Sequence, residues 1–310
     1  MIFSSITNAL TFDVEDYFQV SAFEKVVDRS QWNNFPSRVE NNTDRILSIL
    51  DEAGVKATFF VLGWVGERYP KLVRRIHEGG HEVACHGYSH RLVYEQSATE
   101  FREETSRAKY LLEDIVGEEV PGYRAASYSI VRSSLWALDI LAECGFRYDS
   151  SIFPIRHDRY GIPDAPRFPH QIQLRSGASL IEFPISTADV WGMKIPVAGG
   201  GYFRLLPYGI TKFGLSRINQ KDKQAFVFYL HPWELDPEQP RIAASVISRF
   251  RHYTNLKRCE ARLSGLLRTY RFAAMRDVLG RQTETLDQVL YEGGAVPGKV
   301  IRVCSNGGEK

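Results

Sequence analysis

The sequence has few cysteines and no long apolar segment, so it indicates neither a disulfide-rich domain nor a membrane span. Only four cysteines occur among 310 residues, and they lie far apart, at Cys85, Cys144, Cys259 and Cys304. No CxxC pair is present, which argues against a cysteine zinc site, and the spacing implies no disulfide framework. No segment approaches the roughly 20 consecutive apolar residues that a transmembrane helix needs.

The chain also has almost no net charge and no recognisable export signal. Its 39 basic and 37 acidic residues leave a formal net charge of +2. No basic stretch is interleaved with aromatic residues, so we expect no nucleic-acid partner. The first residues, MIFSSITNALTFDVEDYF, lack a basic region followed by a long apolar one. We therefore expect a cytoplasmic protein. The sequence does not indicate an oligomeric state.

Hydrophobic residues make up 44% of the chain, which is ordinary for a soluble domain with a large core. Helical patterns that stop at glycine alternate with short apolar segments, such as Val55–Leu62 after Gly54. Repeated helix–glycine–strand units predict parallel strands joined by helical crossovers. The same reasoning predicts a strand over Tyr123–Ile130 and a strong buried strand over Ala225–Leu230.

Two stretches break this rhythm and are predicted to be irregular loops that cap the functional site. Phe153–Leu174 contains four prolines, and Trp191–Tyr202 contains Gly199, Gly200 and Gly201. We place the main domain at residues 1–280, with residues 240–280 as its C-terminal part. Residues 281–310 form a polar tail that we predict to be partly disordered.

Acidic and histidine side chains fall where the predicted strands end. In parallel α/β folds the carboxyl ends of the strands meet at one rim, where catalytic groups collect. We therefore expect a set of polar residues from distant parts of the sequence to converge: Asp13, Glu15, Asp16, His86, Arg124, Asp149 and His231.

His86 and His90 are four residues apart, a spacing that allows two imidazoles to bind one metal ion. A carboxylate from another strand would complete the set and leave positions open for water and substrate. Such a metal polarises a carbonyl, a separate carboxylate takes a proton from water, and a histidine protonates a leaving amine. A metal, a carboxylate base and a histidine acid together fit the hydrolysis of an amide bond.

Each of these features has an ordinary structural explanation when it is considered alone. An HxxxH pair is a weak signal, and an acidic cluster such as DVED is more often a solvated turn. Arg124 could be a simple ion-pair partner, and an isolated His231 is more often structural. Their joint occurrence at strand ends favours a functional site over a coincidence.

The ordered motifs together resemble those of the polysaccharide deacetylase (NodB-like, carbohydrate esterase 4) family. LTFDVEDYF is similar to the first motif of that family, HGYSH to its metal-binding motif and RAASYSI to its arginine motif. FRYDSSIFP and FYLHPWE are similar to its later segments. With GGGYFRLLP, the sequence resembles the subgroup found with bacterial exopolysaccharide and exosortase loci.

The resemblance implies a distorted (β/α)7-type barrel with long capping loops and a C-terminal helical extension. It implies a divalent metal, Zn2+ first and Co2+ or Ni2+ as alternatives, and hydrolysis of N-acetyl groups on amino sugars. Asp13 would be the general base, His231 the general acid and Arg124 the residue that orients Asp13. His86 and His90 would bind the metal. Asp149 would support the acid histidine.

The sequence departs from the family pattern at three positions. Val14 follows Asp13 where many members have a second aspartate, so Glu15 becomes the expected third metal ligand, with Asp16 as the alternative. Strand alternation points Asp13 and Glu15 to the same side, which favours Glu15. Gly87 replaces a hydroxyl residue of the metal-binding loop, and Ala126 replaces a common proline.

We expect the substrate to be an N-acetylated amino-sugar polymer or a lipid-linked oligosaccharide. The aromatic candidates for substrate binding are Tyr128, Trp191 and Trp233. Association with a membrane complex for polysaccharide synthesis is compatible with these expectations. Two alternatives stay open: hydrolysis of a small amide or imide on the same fold without a metal, and carbohydrate binding without catalysis.

Overall fold

The structure, a computed structural model, describes residues 5–157, 159–281, 286–291 and 300–303. Its strands, numbered along the chain, are β1 (Thr7–Val14), β2 (Thr58–Val61), β3 (Glu82–Cys85), β4 (Gly122–Tyr123), β5 (Tyr148–Asp149), β6 (His170–Gln173), β7 (Ser179–Glu182), β8 (Thr187–Val190), β9 (Met193–Pro196), β10 (Val227–Leu230), β11 (Arg271–Ala273), β12 (Asp287–Tyr291) and β13 (Val300–Val303).

Helices follow most of the early strands and cover the outside of the sheet. They are α1 (Val39–Ala53), α2 (Gly63–Arg68), α3 (Pro70–Glu78), α4 (Ala98–Val116), α5 (Trp136–Glu143), α6 (Gly200–Leu205), α7 (Tyr208–Arg217), α8 (Val246–Tyr253), α9 (Leu256–Thr269) and α10 (Met275–Gly280). Helix α4 begins at a capping box, in which Ser97 and Glu100 satisfy each other's backbone N–H groups. Gly117, with φ 74°, ends it.

Seven parallel strands form the barrel, in the order β10-β1-β2-β3-β4-β5-β7. The two outer strands are not paired directly. The chain after β7 spans the gap, because the Val227 N–H donates to Ser186 Oγ and the Tyr229 N–H donates to the Ala198 carbonyl, both at 2.8 Å. The predicted distorted (β/α)7 barrel is confirmed.

The sheet continues past β7 through antiparallel β6, then β12 and β13. Strand β11 pairs with the first half of β1, so the C-terminal part of the chain packs on the barrel. Strands β12 and β13 fall in the segment that the sequence analysis described as a polar tail. The rest of that segment, including Cys304, lies outside the described residues.

No helix among the described residues is long and apolar enough to cross a membrane.

Three predictions about local structure were wrong in whole or in part. Of the strand expected over Tyr123–Ile130, only Tyr123 is in a strand, because Ser127 and Tyr128 turn into the left-handed region at φ 50° and 56°. The stretch Phe153–Leu174 contains β6, which gains its hydrogen bonds from β7. The stretch Trp191–Tyr202 contains β9, which pairs with β8 in a hairpin, and the start of α6.

Candidate active site

The carboxyl ends of the barrel strands surround a cavity of about 170 Å3. Asp13 lies at the end of β1, and His86 and His231 directly follow β3 and β10. Because the strands are parallel, these ends meet at one rim, as predicted. The cavity is lined by Asp13, Glu15, Val20, Ser21, His86, His90, Ser127, Tyr128, Tyr160, Tyr229, His231 and Trp233.

Glu15, His86 and His90 form a buried cluster in which one ligand atom from each lies within 4.8 Å of the others. Oε2 of Glu15 is 2.8 Å from His90 Nε2, so these two side chains are in direct contact. Nδ1 of His86 lies 2.8 Å from the Arg124 carbonyl oxygen, which leaves Nε2 for another partner. Burial lowers the pKa of His86 to about 4, so its imidazole is neutral, as a metal ligand must be.

The neighbours Glu15 and Asp16 point to different surroundings. The Asp16 carboxylate accepts hydrogen bonds from Ser37 Oγ at 2.7 Å and from the backbone N–H groups of residues 17, 38 and 39, and so fixes the start of α1. Glu15 faces the two histidines. Burial alone would raise the pKa of Glu15, but the nearby His90 and His231 bring it down to about 2. The geometry favours Glu15 as the third ligand.

The loop that carries His90 is held in an unusual backbone conformation. His90 has φ 54°, a conformation that is costly for a residue with a side chain and is typical of functional sites. Arg29 braces the loop by donating to the carbonyls of Ser89 and His90, at 2.9 and 3.1 Å. Gly87, which replaces the hydroxyl residue common in the family, has φ 71°. Glycine adopts this left-handed conformation without steric cost.

Asp13 is fixed by Arg124, as the resemblance implied. Nη1 of Arg124 lies 2.7 Å from Asp13 Oδ1 and also donates to Thr11 Oγ at 2.8 Å. The opposite side of the guanidinium donates to the carbonyl and hydroxyl of Ser150. The Arg124 side chain is completely buried, and these partners hold its guanidinium in place. The guanidinium in turn fixes the orientation of the Asp13 carboxylate.

His231 faces Asp13 and Glu15 from the other side of the cavity. Its Nε2 lies 3.8 Å from Asp13 Oδ2 and 3.5 Å from Glu15 Oε1. Its Nδ1 lies 2.9 Å from Glu234 Oε2. Burial alone would lower the pKa of His231, but Glu15, Glu234 and Asp13 raise it to about 9. The imidazole is therefore protonated at neutral pH.

Glu234 is in turn held by a second buried arginine. Oε1 of Glu234 accepts a hydrogen bond from Arg204 Nε at 2.6 Å, and Arg204 Nη1 donates to the carbonyls of residues 251, 252 and 254. Arg204, Glu234 and His231 thus form a continuous chain of contacts. The assignment of Asp149 to the support of His231 was wrong, because Glu234 already occupies the Nδ1 side of the ring.

Asp149 belongs to a different buried group. Its Oδ1 accepts a hydrogen bond from Ser151 Oγ at 2.5 Å, and its other oxygen meets Glu182. Neither Asp149 Oδ2 nor Glu182 Oε2 receives a donor from another described residue. Burial raises the pKa of both carboxyls, so a proton held between them satisfies both oxygens.

Two of the three aromatic candidates for substrate binding line the cavity. The Tyr128 hydroxyl is buried at the wall of the cavity, where it interacts with Tyr229. Trp233 Nε1 donates to Glu15 Oε1 at 3.2 Å and so also orients that carboxylate. Trp191 lies instead at the turn between β8 and β9, is 90% exposed and does not line the cavity.

Sequence profiles of known families cover almost all of the barrel. Residues 6–148 match the profile described as polysaccharide deacetylase, and residues 150–280 match one described as a domain of unknown function (DUF3473). Residues 6–148 thus form a polysaccharide deacetylase domain.

Curated deacetylases are similar to part of this chain. Peptidoglycan-N-acetylglucosamine deacetylase of Bacillus cereus is 33% identical over 98 residues, which cover 31% of this chain and 36% of that protein. Chitooligosaccharide deacetylase of a Bradyrhizobium species is 32% identical over 100 residues, 32% of this chain and 43% of that protein. The matched regions thus span less than half of these two relatives.

Solved structures are similar over nearly the whole chain. A Mycobacterium smegmatis protein assigned as a polysaccharide deacetylase superposes with a TM-score of 0.62 at 20% identity. The superposition covers 97% of this chain and 95% of that one. At this identity the likeness establishes the shared fold.

The two family profiles divide the candidate site between them. Asp13, Glu15, His86, His90 and Arg124 lie in the first matched region, whereas Arg204, His231 and Glu234 lie in the second. His231 was predicted from the sequence, whereas the contacts of Arg204 and Glu234 were not. The spacing of Glu234, three residues after His231 in HPWE, was the available signal.

Proposed function

We propose that this protein hydrolyses N-acetyl groups from an amino-sugar polymer or its precursor, in a metal-dependent reaction. The observation that carries the proposal is the placement of three kinds of group around one cavity. Asp13 and His231 face each other at 3.8 Å, and the Glu15, His86 and His90 cluster lies beside them. An amide hydrolase needs a base, an acid and a means of polarising the carbonyl.

Glu15, His86 and His90 are the residues that would hold the metal. Two imidazoles and one carboxylate suit Zn2+, with Co2+ or Ni2+ as alternatives, and leave positions for water and substrate. Glu15 Oε2 lies 2.8 Å from His90 Nε2, so two of the candidate ligand atoms already meet at one point of the cavity. A bound cation supplies Lewis acidity toward the acetyl carbonyl.

Asp13 is proposed as the general base. Arg124 occupies Oδ1, so Oδ2 is the oxygen that faces the cavity and His231. In the reaction the Asp13 carboxylate takes a proton from the attacking water as the new C–O bond forms at the acetyl carbon. Fixed orientation of the carboxylate by Arg124 avoids reorganisation during this step.

His231 is proposed as the general acid. Since its pKa is raised to about 9, it carries a proton at neutral pH, and Glu234 holds the ring through Nδ1 so that Nε2 faces the cavity. Transfer of the Nε2 proton to the amide nitrogen allows the C–N bond to break. The products are acetate and a free amino sugar, and water supplies the oxygen of the acetate.

The proposed substrate class rests on the lining of the cavity and on the relatives. Tyr128, Tyr160 and Trp233 give the cavity an aromatic wall whose exposed ring edges can contact the apolar side of a sugar ring. The curated relatives are named for peptidoglycan N-acetylglucosamine and chitooligosaccharides. Exopolysaccharide biosynthesis is the proposed setting, supported by the resemblance of GGGYFRLLP and the other motifs to that subgroup.

Acetate release from N-acetylated chitooligosaccharides tests the proposal. With added Zn2+ or Co2+, the wild-type protein should release acetate, and Asp13→Asn should reduce kcat at least about 100-fold because it removes the base. Asp114→Asn, on the exposed side of α4, is the matched control and should leave kcat unchanged.

Two other results would contradict the proposal. Hydrolysis of a small cyclic amide that is insensitive to chelators would favour the metal-free alternative on the same fold. Saturable sugar binding without acetate release under Zn2+, Co2+ and Ni2+ would favour a carbohydrate-binding protein.

A further inference from the structure

Helix α8 exposes an apolar surface that nothing in the described residues covers. Val246, Ile247 and Phe250 are 82%, 64% and 61% exposed, and we call these three side chains the α8 face. Only His252 among the eight residues of this helix is buried. A helix with large apolar side chains turned outward indicates a surface for interaction.

The buried side of α8 lies against the candidate site. His252 stacks on Trp233 with ring centroids 4.1 Å apart, and Trp233 stacks on His231 at 5.2 Å. Arg204, which holds Glu234, donates to the carbonyls of Arg251 and His252 at the end of α8. The helix that carries the α8 face is therefore packed, through its opposite side, on residues of the candidate site.

Positive charge surrounds the α8 face. Arg249 and Arg251 are exposed on the helix, and Arg241 precedes it, 4.1 Å above the Tyr253 ring. Across the described part of the chain these three arginines have no ion-pair partner. Residues 190–281 contain 16 Lys and Arg but six Asp and Glu, although the whole chain is almost neutral. The charge is thus concentrated in the part of the chain that carries α8.

We propose that the α8 face binds the surface of an anionic lipid bilayer. Val246, Ile247 and Phe250 would enter the boundary between headgroups and acyl chains, and the arginines would contact the anionic headgroups. The β8–β9 turn, with Trp191 90% and Met193 62% exposed, adds a second group of apolar side chains in the same basic segment. Docking would present the cavity to substrates held at the membrane. The inference goes beyond deacetylation and does not require it.

The combination of charge and exposed apolar area selects a bilayer over a soluble polyanion. Cationic side chains supply most of the affinity for a soluble anionic polymer, and exposed aliphatic side chains such as Val246 and Ile247 add little to it. A bilayer surface binds both kinds of side chain, because apolar side chains insert between the lipids while cationic side chains contact the anionic headgroups.

Vesicle co-sedimentation of the full chain tests the proposal. The protein should sediment with vesicles of phosphatidylglycerol and phosphatidylcholine, and less with phosphatidylcholine alone. Combined Val246→Ser, Ile247→Ser and Phe250→Ser should weaken binding at least about tenfold, since the apolar contribution is lost. Arg249→Gln with Arg251→Gln should also weaken it and reduce its salt dependence. Tyr110→Ser, which removes an exposed side chain from α4, is the control.

Acetate release from a soluble chitooligosaccharide separates this proposal from the proposed function. The triple α8 variant should keep that activity and its melting temperature while losing vesicle binding. Absence of wild-type binding to the anionic vesicles would overturn the proposal. So would a triple variant that binds like wild type while the arginine variant does not, because a soluble polyanion would then be the partner.

Discussion

At the scale of single residues, two buried arginines organise the candidate site. Arg124 holds Asp13 directly, and Arg204 holds His231 through Glu234. Each arginine also donates to backbone or hydroxyl oxygens, which hold its side chain in place. The proposed acid and the proposed base are thereby kept in fixed orientations, as transfer of two protons in opposite directions requires.

Glu234→Gln is predicted to move the alkaline limb of the pH–rate profile to lower pH. The acid must be protonated, so the rate falls as pH rises through the pKa of His231, which is about 9. Removing the negative charge of Glu234, with Arg204 left unpaired, lowers that pKa, and the limb should move by at least about one pH unit.

The measurement is kcat/KM against pH for wild type, Glu234→Gln and the exposed control Glu238→Gln. The control should retain the wild-type profile. An unchanged limb in Glu234→Gln would show that His231 does not depend on Glu234 and would remove the support for its role as the acid.

The sequence predicted most of the residues that meet at the rim but not all of their partners. Asp13, His86, His90 and His231 could be found because each follows an apolar strand. Glu15 could be preferred over Asp16 from strand alternation alone. Arg204 could not be connected to Glu234, because 30 residues separate them and the contact depends on how α6 packs.

At the scale of elements, helices and strands with clear glycine stops were predictable, whereas pairings that depend on tertiary contact were not. Helix α4 carries its own start and stop signals in Ser97, Glu100 and Gly117. Strands β6 and β9 have no such local signals and are stabilised by the hydrogen bonds of β7 and β8. Helix α8 was missed because only His252 of its residues is buried.

Gly199→Ala is predicted to destabilise the protein and reduce activity, since Gly199 lets the chain before α6 approach β10. Its φ is 130°, and an added Cβ would lie 1.8 Å from the Tyr229 carbonyl oxygen. The backbone must shift, at a cost of more than about 2 kcal/mol in the free energy of unfolding. The shift would carry Arg204 away from Glu234.

Denaturant unfolding and acetate release measure the two effects. Gly201→Ala, two residues along the chain, meets nothing within 4 Å and is the matched control. It should be neutral or slightly stabilising because it lies within a helix. Equal stability of Gly199→Ala and Gly201→Ala would contradict the described approach of α6 to β10.

At the scale of the whole molecule, neither half of the chain contains a complete site. The region matching the polysaccharide deacetylase profile supplies the proposed base and the three metal-ligand candidates, and the region of unknown function supplies the proposed acid histidine with its supports. Strand β1 joins the halves, because β10 pairs along one side of it, whereas β2 and β11 pair along the other. The same second region carries the excess of basic residues and the α8 face.

Zinc titration of the chelator-treated protein, followed by acetate release, tests the central claim most directly. Activity should return with about one Zn2+ per chain in the wild-type protein. It should return equally in Asp16→Asn, because the Asp16 side chain contacts the start of α1 and not the cluster. Glu15→Gln should bind Zn2+ much more weakly and stay inactive at the same zinc concentration. Full activity of the zinc-free protein, or of Glu15→Gln without added zinc, would contradict it.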